Sequence, residues 1–341
     1  MPRQRMIVPI FIPHQGCPYR CVFCNQNEIS GAEKEEDQAR LDSAFKTYLE
    51  SRPLEALPAI REAAFYGGTF TALPRQRQEF LLSSVQEWVD REYVQSLRLS
   101  THPGAVDSGA LALLDRYSVK TIELGVQSTD PAILRRSGRG DTPESLGRSI
   151  HLIRSKSYRL GLQLMLGLPG DSEKTFQQSV SDTLRFKPDF VRIYPALVVR
   201  GTALHDMYKK GEYVPWSLDR TVNALKMAVK RLESAGIPVI RLGLHPEPSL
   251  LANIVDGPYH PALRSLVESR ICFELMSDLL SREAVLPERV TFNVPLRKIS
   301  NYTGHRKENI VMLKKKFAIK ELFFKQTPGL ITPELMVSMP S

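Results

Sequence analysis

Residues 16–26 read Gly16-Cys17-Pro18-Tyr19-Arg20-Cys21-Val22-Phe23-Cys24-Asn25-Gln26 and hold three of the four cysteines of the chain. Their order is C-x3-C-x2-C, and they directly follow an apolar run, Ile7 to Ile12, that is typical of a buried strand. Thiolates this close together on one loop can converge on a single soft metal centre. Three ligands leave a tetrahedral site open, and the chain has no second C-x-x-C to complete it.

Three interpretations of this loop compete. A [4Fe–4S] cluster held by three cysteines would keep one iron open for another ligand. A structural zinc site would need a fourth ligand, for which His14 is available. Chance clustering of free thiols is the third, because cysteine is commonly a small buried hydrophobic residue. A disulfide framework is not expected, since a chain of 341 residues with so few cysteines can be stabilised by burial.

The C-x3-C-x-aromatic-C pattern after an N-terminal strand resembles the cluster loop of the radical S-adenosylmethionine (SAM) enzymes. The longer string from Ile10 to Gln26, with Gly67-Gly68-Thr69-Phe70, is similar to the radical domain of bacterial relatives of the Elongator catalytic subunit. The similarity extends over residues 5–245. Elongator catalytic subunits have a longer gap between their first two cysteines, so we expect a relative that lacks their acetyltransferase domain.

The resemblance implies that Cys17, Cys21 and Cys24 hold a [4Fe–4S] cluster whose open iron binds the amino and carboxylate groups of SAM. One-electron reduction would cleave SAM to a 5′-deoxyadenosyl radical, which abstracts hydrogen from the substrate. No catalytic residue is assigned. The implied cofactor-binding residues lie in the cysteine loop, the glycine loop and three later strands: Tyr19, Phe23, Gly67, Gly68, Thr69, Glu123, Gln127, Gln163, Met165, Arg192 and Tyr194.

Two of these polar residues can also be judged from their spacing. Glu123 and Gln127 flank Gly125 on one predicted strand and project to one face, because side chains alternate along a strand. Polar groups that face a barrel interior need partners. The ribose and carboxylate of a cofactor could supply them, but so could each other, or Arg135 and Arg136.

The hexapeptide Arg135-Arg136-Ser137-Gly138-Arg139-Gly140 fits R-x-x-G-x-G, the pyrophosphate loop of acetyltransferases. It follows a short helix that begins at Asp130-Pro131, inside the repeated strand–helix pattern. Gly138 is then placed as a helix stop. Acetyl transfer is therefore not predicted for this segment.

Short apolar strands alternate with helices along most of the chain, which is typical of a parallel sheet. The first strand is not followed by the glycine signature of a dinucleotide-binding fold, which favours a barrel. The resemblance narrows this α/β fold class to a partial (β/α)6-type TIM-like barrel over residues 1–245. The predicted strands are Ile7–Ile12, Ala63–Tyr66, Leu97–Thr101, Thr121–Val126, Leu160–Leu168, Phe190–Tyr194 and Ile237–Ile240. Glu28–Gln38 is polar and aperiodic and is predicted to be an exposed loop.

Residues 246–341 are predicted to form a helix followed by a small basic α+β module. Nine basic and two acidic residues lie between Arg297 and Lys325, so this segment carries +7 of the net charge of +9. A localised basic segment suggests a polyanionic partner, with nucleic acid first. The alternative is a solvated lysine face.

Gly304-His305-Arg306-Lys307, before a helix predicted from Arg306 to Phe317, resembles the GxxG loop with which KH modules clamp a nucleic-acid backbone. The fourth position is Lys307 rather than glycine, which bears on how closely a phosphate could approach. Together with the local charge, this loop predicts RNA or tRNA docking through Arg297–Lys325.

The chain has no run of 18 apolar residues, so no membrane contact is expected, and its basic N-terminus is not a signal peptide. We therefore expect a cytoplasmic enzyme, reduced by a donor such as flavodoxin or ferredoxin, that acts on RNA or tRNA. Two alternatives remain open. One is the same chemistry on a small molecule, as in relatives of coproporphyrinogen oxidase; the other is a non-catalytic, zinc-bound RNA adaptor.

Overall fold

The structure is a computed structural model that describes residues 5–12, 14–25, 38–50, 60–286 and 288–336. Its residues divide into two compact units, Met1–Ser217 with Arg231–Tyr259, and Leu218–Lys230 with His260–Ser341. None of the described helices combines the length and apolar content needed to cross a membrane. The loop predicted at Glu28–Gln38 lies outside the described residues, except for Gln38, which begins the first helix.

A sheet of seven parallel strands forms the first unit and curls into a partial barrel. The strands are β1 (Arg5–Phe11), β2 (Ile60–Tyr66), β3 (Ser96–Thr101), β4 (Val119–Gln127), β5 (Arg159–Leu166), β6 (Phe190–Pro195) and β8 (Val239–Leu242), in that spatial order. The intervening β7 (Val198–Val199) pairs instead with β9 (Ile254–Asp256). Neighbouring strands pair in sequence order, so each connection crosses over by one step, as in (β/α) barrels. The predicted fold class is confirmed.

The strands are buried on both faces, which explains why the sequence shows continuous apolar runs. In β5, six of eight residues are buried, including Leu160, Leu162 and Leu164. Parallel sheets covered on both sides characteristically lose the alternation of polar and apolar residues. All seven predicted strands are present; the last is displaced by two residues, and β5 ends at Leu166 because Gly167 takes a positive φ of 74°.

Helices connect the strands, and several begin where the sequence places a cap. The helices of this part of the chain are α1 (Gln38–Phe45), α2 (Arg75–Asp90), α3 (Ser108–Leu114), α4 (Pro131–Arg136), α5 (Pro143–Arg154), α6 (Glu173–Phe186), α7 (Ala203–Lys209), α8 (Leu218–Ser234) and α9 (Pro248–Asn253). The Asp130 carboxylate accepts from the backbone N–H groups of Ala132 and Ile133. Gly138, with φ 73°, follows the end of α4, as expected of a helix stop.

The second unit contains a small mixed sheet and its own apolar core. Besides residues Leu218–Lys230 of α8, it comprises α10 (Leu263–Leu280), β10 (Arg289–Pro295), α11 (Ile299–Thr303), α12 (Glu308–Phe317), β11 (Glu321–Thr327) and β12 (Glu334–Met336). Strand β10 is central; β11 pairs with it in parallel and β12 antiparallel. Met276, Val290, Phe292 and Leu313 are fully buried in this core, and Cys272 lies beside them. The sequence indicated one helix between β10 and β11, whereas the structure has two.

Candidate functional site

A cavity of about 710 Å³ in the first unit collects nearly all of the predicted cofactor residues. The carboxyl ends of the strands, where the connecting loops meet, form much of its wall, as expected for this type of barrel. Thirteen of the fourteen predicted residues line it: Cys17, Cys21, Phe23, Cys24, Gly67, Gly68, Thr69, Glu123, Gln127, Gln163, Met165, Arg192 and Tyr194. Segments that are far apart in the sequence therefore meet at this cavity.

Tyr19 is the exception. Its side chain is 37% exposed, and its ring packs 5.2 Å from the ring of His102. Its hydroxyl lies so close to Gly140 that a Cβ on that glycine would be 2.8 Å away. In this structure Tyr19 supports the outside of the cysteine loop and does not line the cavity.

The cysteine loop is held by backbone hydrogen bonds, and two side chains donate to its sulfur atoms. The Cys17 N–H donates to the His14 carbonyl at 3.3 Å, and the Cys24 N–H to the Cys21 carbonyl at 3.0 Å. Thr69 Oγ1 lies 3.6 Å from Cys17 Sγ. Burial raises the pKa of the Cys17 thiol, and the hydrogen bond from Thr69 opposes this. Hydrogen bonds to sulfur are among the features that set the potential of iron–sulfur clusters.

The glycine loop explains how the two loops can approach. A Cβ on Gly68 would lie 2.5 Å from the carbonyl oxygens of Ile12 and Gln15, and one on Gly16 would collide with the Thr69 carbonyl. The Thr69 N–H donates to the Gln15 carbonyl at 2.9 Å. The glycines therefore permit backbone contact between the loops that carry the cysteines and Thr69.

Replacing Gly68 by alanine is expected to separate the two loops, because the blocking atoms are backbone carbonyls. The free energy of unfolding should fall by about 1–3 kcal/mol, as for overpacked sites, and the protein should retain less iron after reconstitution. Gly147→Ala is the matched control, since Gly147 lies inside α5 and a Cβ added there would meet no atom within 4 Å. That change should stabilise the protein by up to about 1 kcal/mol. Equal effects of both changes in urea unfolding would contradict this account.

Arg139 connects the cysteine loop to the strand ends. It is 6% exposed; its guanidinium donates to Asp141 Oδ2 at 2.7 Å, to the Gly125 carbonyl at 2.7 Å, and to Cys21 Sγ at 3.5 Å. His102 Nε2 lies 2.8 Å from the other Asp141 oxygen. Burial alone would raise the pKa of Asp141, but His102 and Arg139 hold it below its usual value.

Arg139 is a site residue that the sequence did not predict. Arg139 lies in the R-x-x-G-x-G hexapeptide. From the sequence this motif indicated only the end of a helix and a chance match to the acetyltransferase loop. Its glycines have a structural role beside the cysteine loop. A Cβ on Gly138 would lie 3.0 Å from the Arg20 carbonyl, and the Ser137 carbonyl accepts from the Val22 N–H at 3.0 Å.

A buried ionic network lies on the inner face of the sheet. Arg98 is fully buried between Glu62, at 2.7 Å, and Glu123 Oε1, at 2.9 Å. Glu123 Oε2 lies 3.1 Å from Arg192, whose guanidinium also stands over the Tyr66 ring at 4.8 Å. Burial, assisted by Glu123, raises the pKa of Tyr66 to about 12. Glu123 lines the cavity, but both of its oxygens are engaged by arginines.

The sequence left the partners of Glu123 and Gln127 open, and the structure assigns protein partners to both. Gln163 Nε2 donates to Gln127 Oε1 at 3.2 Å, so these two cavity residues bind each other. Gln127 has a positive φ of 65°, at the irregularity where β4 meets β5. The pairs Glu123–Arg192 and Gln127–Gln163 form a polar strip across β4, β5 and β6.

An apolar side of the cavity complements this strip. Met165 is 8% exposed and packs in a cluster with Ile133 and Leu168, against which Phe23 and Tyr194 also pack. Burial raises the pKa of Tyr194, so its phenol stays protonated near neutral pH. In the part of the chain that the structure describes, no three His, Cys, Asp or Glu side chains are grouped as ligands of a single ion.

The residues present are suited to an iron–sulfur cluster and a nucleoside-containing cofactor. Three thiols on one loop, with hydrogen-bond donors beside two of them, are the ligand type of such clusters. The adjoining cavity combines backbone groups of the glycine loop, amide side chains and an apolar wall. Sites for small molecules commonly have this composition.

Comparison with known proteins gives relatives of the same kind. A tRNA uridine(34) acetyltransferase of Methanocaldococcus jannaschii is 24% identical in an alignment 260 residues long, which covers 65% of this chain and 48% of that protein. Elongator complex protein 3 of Mus musculus is 26% identical in an alignment 171 residues long, which covers 44% of this chain and 31% of that protein. The chain thus spans about half the length of the archaeal relative.

The solved structure of Methanocaldococcus infernus Elp3, lacking residues 1–46, has a similar fold, with a TM-score of 0.59. The two chains are 22% identical in sequence, and the superposition covers 78% of this chain and 62% of the archaeal one. The sequence profile of the Radical SAM superfamily matches residues 11–183, and that of the Radical_SAM C-terminal domain matches residues 188–272. The first match covers more than half of the chain and includes all three clustered cysteines. The chain belongs to the radical SAM superfamily of enzymes.

Proposed function

We propose that this enzyme binds a [4Fe–4S] cluster through Cys17, Cys21 and Cys24, binds SAM in the adjoining cavity, and acts on RNA, with tRNA as the first candidate. The observation that carries the cofactor assignment is that the three thiols line the same cavity as the glycine loop and the polar strip. When bound and reduced, the cluster supplies the electron that cleaves SAM to a 5′-deoxyadenosyl radical. The remaining work belongs to the protein: positioning the reactants and excluding water.

Each wall of the cavity has a role in this proposal. The backbone of Gly67–Thr69 would hold the amino group of SAM. Gln127 and Gln163 would exchange their mutual hydrogen bond for bonds to the ribose, and Met165 would pack against the adenine. The glycine loop, the two glutamines and Met165 all line the cavity, so SAM could bind without a rearrangement of the strands.

Glu123 has a different role from direct ribose binding in this proposal. Because Arg98 and Arg192 engage both of its oxygens, it acts by holding Arg192 at the cavity wall. The Arg192 guanidinium, 15% exposed, is then available to a carboxylate or phosphate. Burial by itself would lower the pKa of Arg192, but Tyr194 and Glu123 raise that pKa by more, so the guanidinium remains charged.

The RNA substrate is supported by two independent features. Relatives named as a tRNA uridine(34) acetyltransferase and as Elongator complex protein 3 match 65% and 44% of this chain. The chain also carries +7 of its net charge of +9 between Arg297 and Lys325. A flavodoxin or ferredoxin would supply the electron, since both are one-electron donors.

The substrate proposal is tested by the dependence of SAM cleavage on RNA. The protein is reconstituted with iron and sulfide without oxygen, reduced with dithionite, and incubated with SAM and with bulk tRNA, unmodified tRNA transcripts or coproporphyrinogen III. We expect 5′-deoxyadenosine formation to rise several-fold with tRNA, and a modified nucleoside to appear in its digest. A rise with coproporphyrinogen alone would contradict the RNA proposal and leave the cofactor proposal intact.

A further inference from the structure

The second unit has a chain order that bears on how RNA could be held. Strand β10 leads into α11, a four-residue loop, α12 and then β11, which lies beside β10 and parallel to it. The loop, Gly304–Lys307, thus joins two consecutive helices between two paired strands. In KH modules a GxxG loop between two helices clamps four nucleotides of single-stranded backbone. The sequence alone indicated only one helix here, so it could not place the loop in this context.

One buried side chain ties together the helices on either side of the 304–307 loop. Asn309 is 1% exposed, and its amide lies within 3.0–3.2 Å of the carbonyl oxygens of Ser269, Asn301 and Tyr302. A Cβ on Gly304, whose φ is 81°, would lie 2.9 Å from Asn309, so this position requires glycine. Both ends of the loop are therefore anchored before any ligand binds, which lowers the entropic cost of binding.

Two cations occupy the turn itself in an unfavourable backbone conformation. Arg306 and Lys307 have φ values of 50° and 63°, a region that costs residues other than glycine roughly 1–2 kcal/mol each. Both side chains are exposed. Such strain persists only where the surroundings enforce it, and it concentrates at functional positions. Lys307 takes the left-handed conformation that glycine would favour, and it adds a charge.

The basic residues of this segment are not equally available to a partner. Lys320 contacts Glu288 at 2.5 Å, and Lys316 donates to Ser277 Oγ at 2.7 Å. Within the residues that the structure describes, Arg306 and Lys307 have no acidic side chain within 4 Å. The unneutralised part of the charge therefore includes the 304–307 loop.

We infer that the 304–307 loop binds the phosphate backbone of single-stranded RNA, with Arg306 and Lys307 as the phosphate-contacting residues. This inference rests on the RNA substrate proposed above and assigns the surface that holds it. The last position of the loop is Lys307, where a GxxG loop has glycine, so a phosphate cannot approach the backbone as closely there. The charges of Arg306 and Lys307 take over part of the binding. Binding should consequently be more dependent on salt than on base sequence.

The test is fluorescence anisotropy with the full-length reconstituted protein and a labelled single-stranded RNA, measured at several salt concentrations. The charge-reversed variant Arg306→Glu/Lys307→Glu should bind about tenfold more weakly or worse. Its slope of log affinity against log salt should be smaller by about 1.4, since each lost phosphate contact on a single strand removes about 0.7. The neutral variant Arg306→Gln/Lys307→Gln should show a smaller loss in the same direction.

Lys174→Glu/Lys210→Glu is the matched control, because it reverses two exposed lysines on α6 and after α7 and changes the net charge equally. It should keep the affinity within about twofold, and thermal unfolding should show that all variants fold. Equal losses in the test and control variants would overturn the inference.

Two readouts separate this inference from the cofactor proposal. SAM cleavage without RNA should be unchanged in Arg306→Glu/Lys307→Glu, since the charge reversals do not touch the cavity residues. If the parent protein cleaves SAM but binds no RNA, the RNA substrate and this surface both fail, and the cluster chemistry stands. If it binds RNA through the loop but cleaves no SAM, the surface stands and the proposed chemistry fails.

Discussion

Replacement of Cys17, Cys21 or Cys24 by alanine, one at a time, is expected to abolish cluster binding and SAM cleavage. Each thiol would ligate a different iron, so the two remaining thiols cannot replace the ligand that is lost. Iron and acid-labile sulfide content should fall to background after reconstitution, with loss of the visible charge-transfer absorption. The loss should be complete, because a cluster with only two protein ligands is readily removed.

Cys272→Ala is the matched control for the cysteine series. Cys272 is the fourth cysteine of the chain, 8% exposed in the apolar core of the second unit, and burial raises the pKa of its thiol to about 12. Its replacement should cost roughly 1 kcal/mol of stability and leave iron content unchanged. A protein that loses iron equally in all four variants would show that iron loss reports unfolding, not ligation.

Glu123→Ala is expected to have the largest effect on stability. It removes the carboxylate that faces Arg98 and Arg192 and leaves two buried guanidinium groups with less compensation. Breaking a buried ion pair on one side typically costs about 3–5 kcal/mol. The free energy of unfolding, measured by urea denaturation of the protein without cofactors, should fall by that amount.

The comparison is with Glu79→Ala, which removes an exposed carboxylate 3.1 Å from Arg75 and 3.5 Å from Arg116. Exposed pairs contribute between zero and about 1 kcal/mol, because water screens them and long side chains lose entropy. Similar losses in both variants would show that the network around Glu123 does not stabilise the barrel. A loss for Glu123→Ala below about 1 kcal/mol would lead to the same conclusion.

The barrel strands could be predicted because they are buried on both faces. Their apolar runs are continuous, and the caps at Asp130 and Thr142 mark helix starts independently of tertiary contacts. The cysteine loop was equally accessible, since ligand spacing along one loop is local information. The close approach of Gly68 to the Ile12 and Gln15 carbonyls was not, because it depends on where two separate loops meet.

The polar interior required the structure for the same reason. The partners of Arg98 are Glu62 and Glu123, which lie 36 and 25 positions away along the chain, and no local pattern distinguishes Arg98 from an exposed arginine. Arg139 was not predicted because it lies in the R-x-x-G-x-G hexapeptide, which indicated only the end of a helix. In the second unit, α11 has only five residues and therefore shows little helical periodicity. The sequence accordingly indicated a turn and one helix between β10 and β11, where the structure has two helices. That missed helix is what gives the 304–307 loop its significance.

The central claim is that this chain cleaves SAM with a cluster held by its three clustered cysteines. The most direct test is to reconstitute the protein without oxygen, reduce it with dithionite, add SAM, and measure 5′-deoxyadenosine and methionine by chromatography and mass spectrometry. We predict a brown protein whose visible absorption bleaches on reduction and which forms both products, while Cys21→Ala forms neither. A colourless protein that takes up no iron and forms no 5′-deoxyadenosine under these conditions would contradict the account.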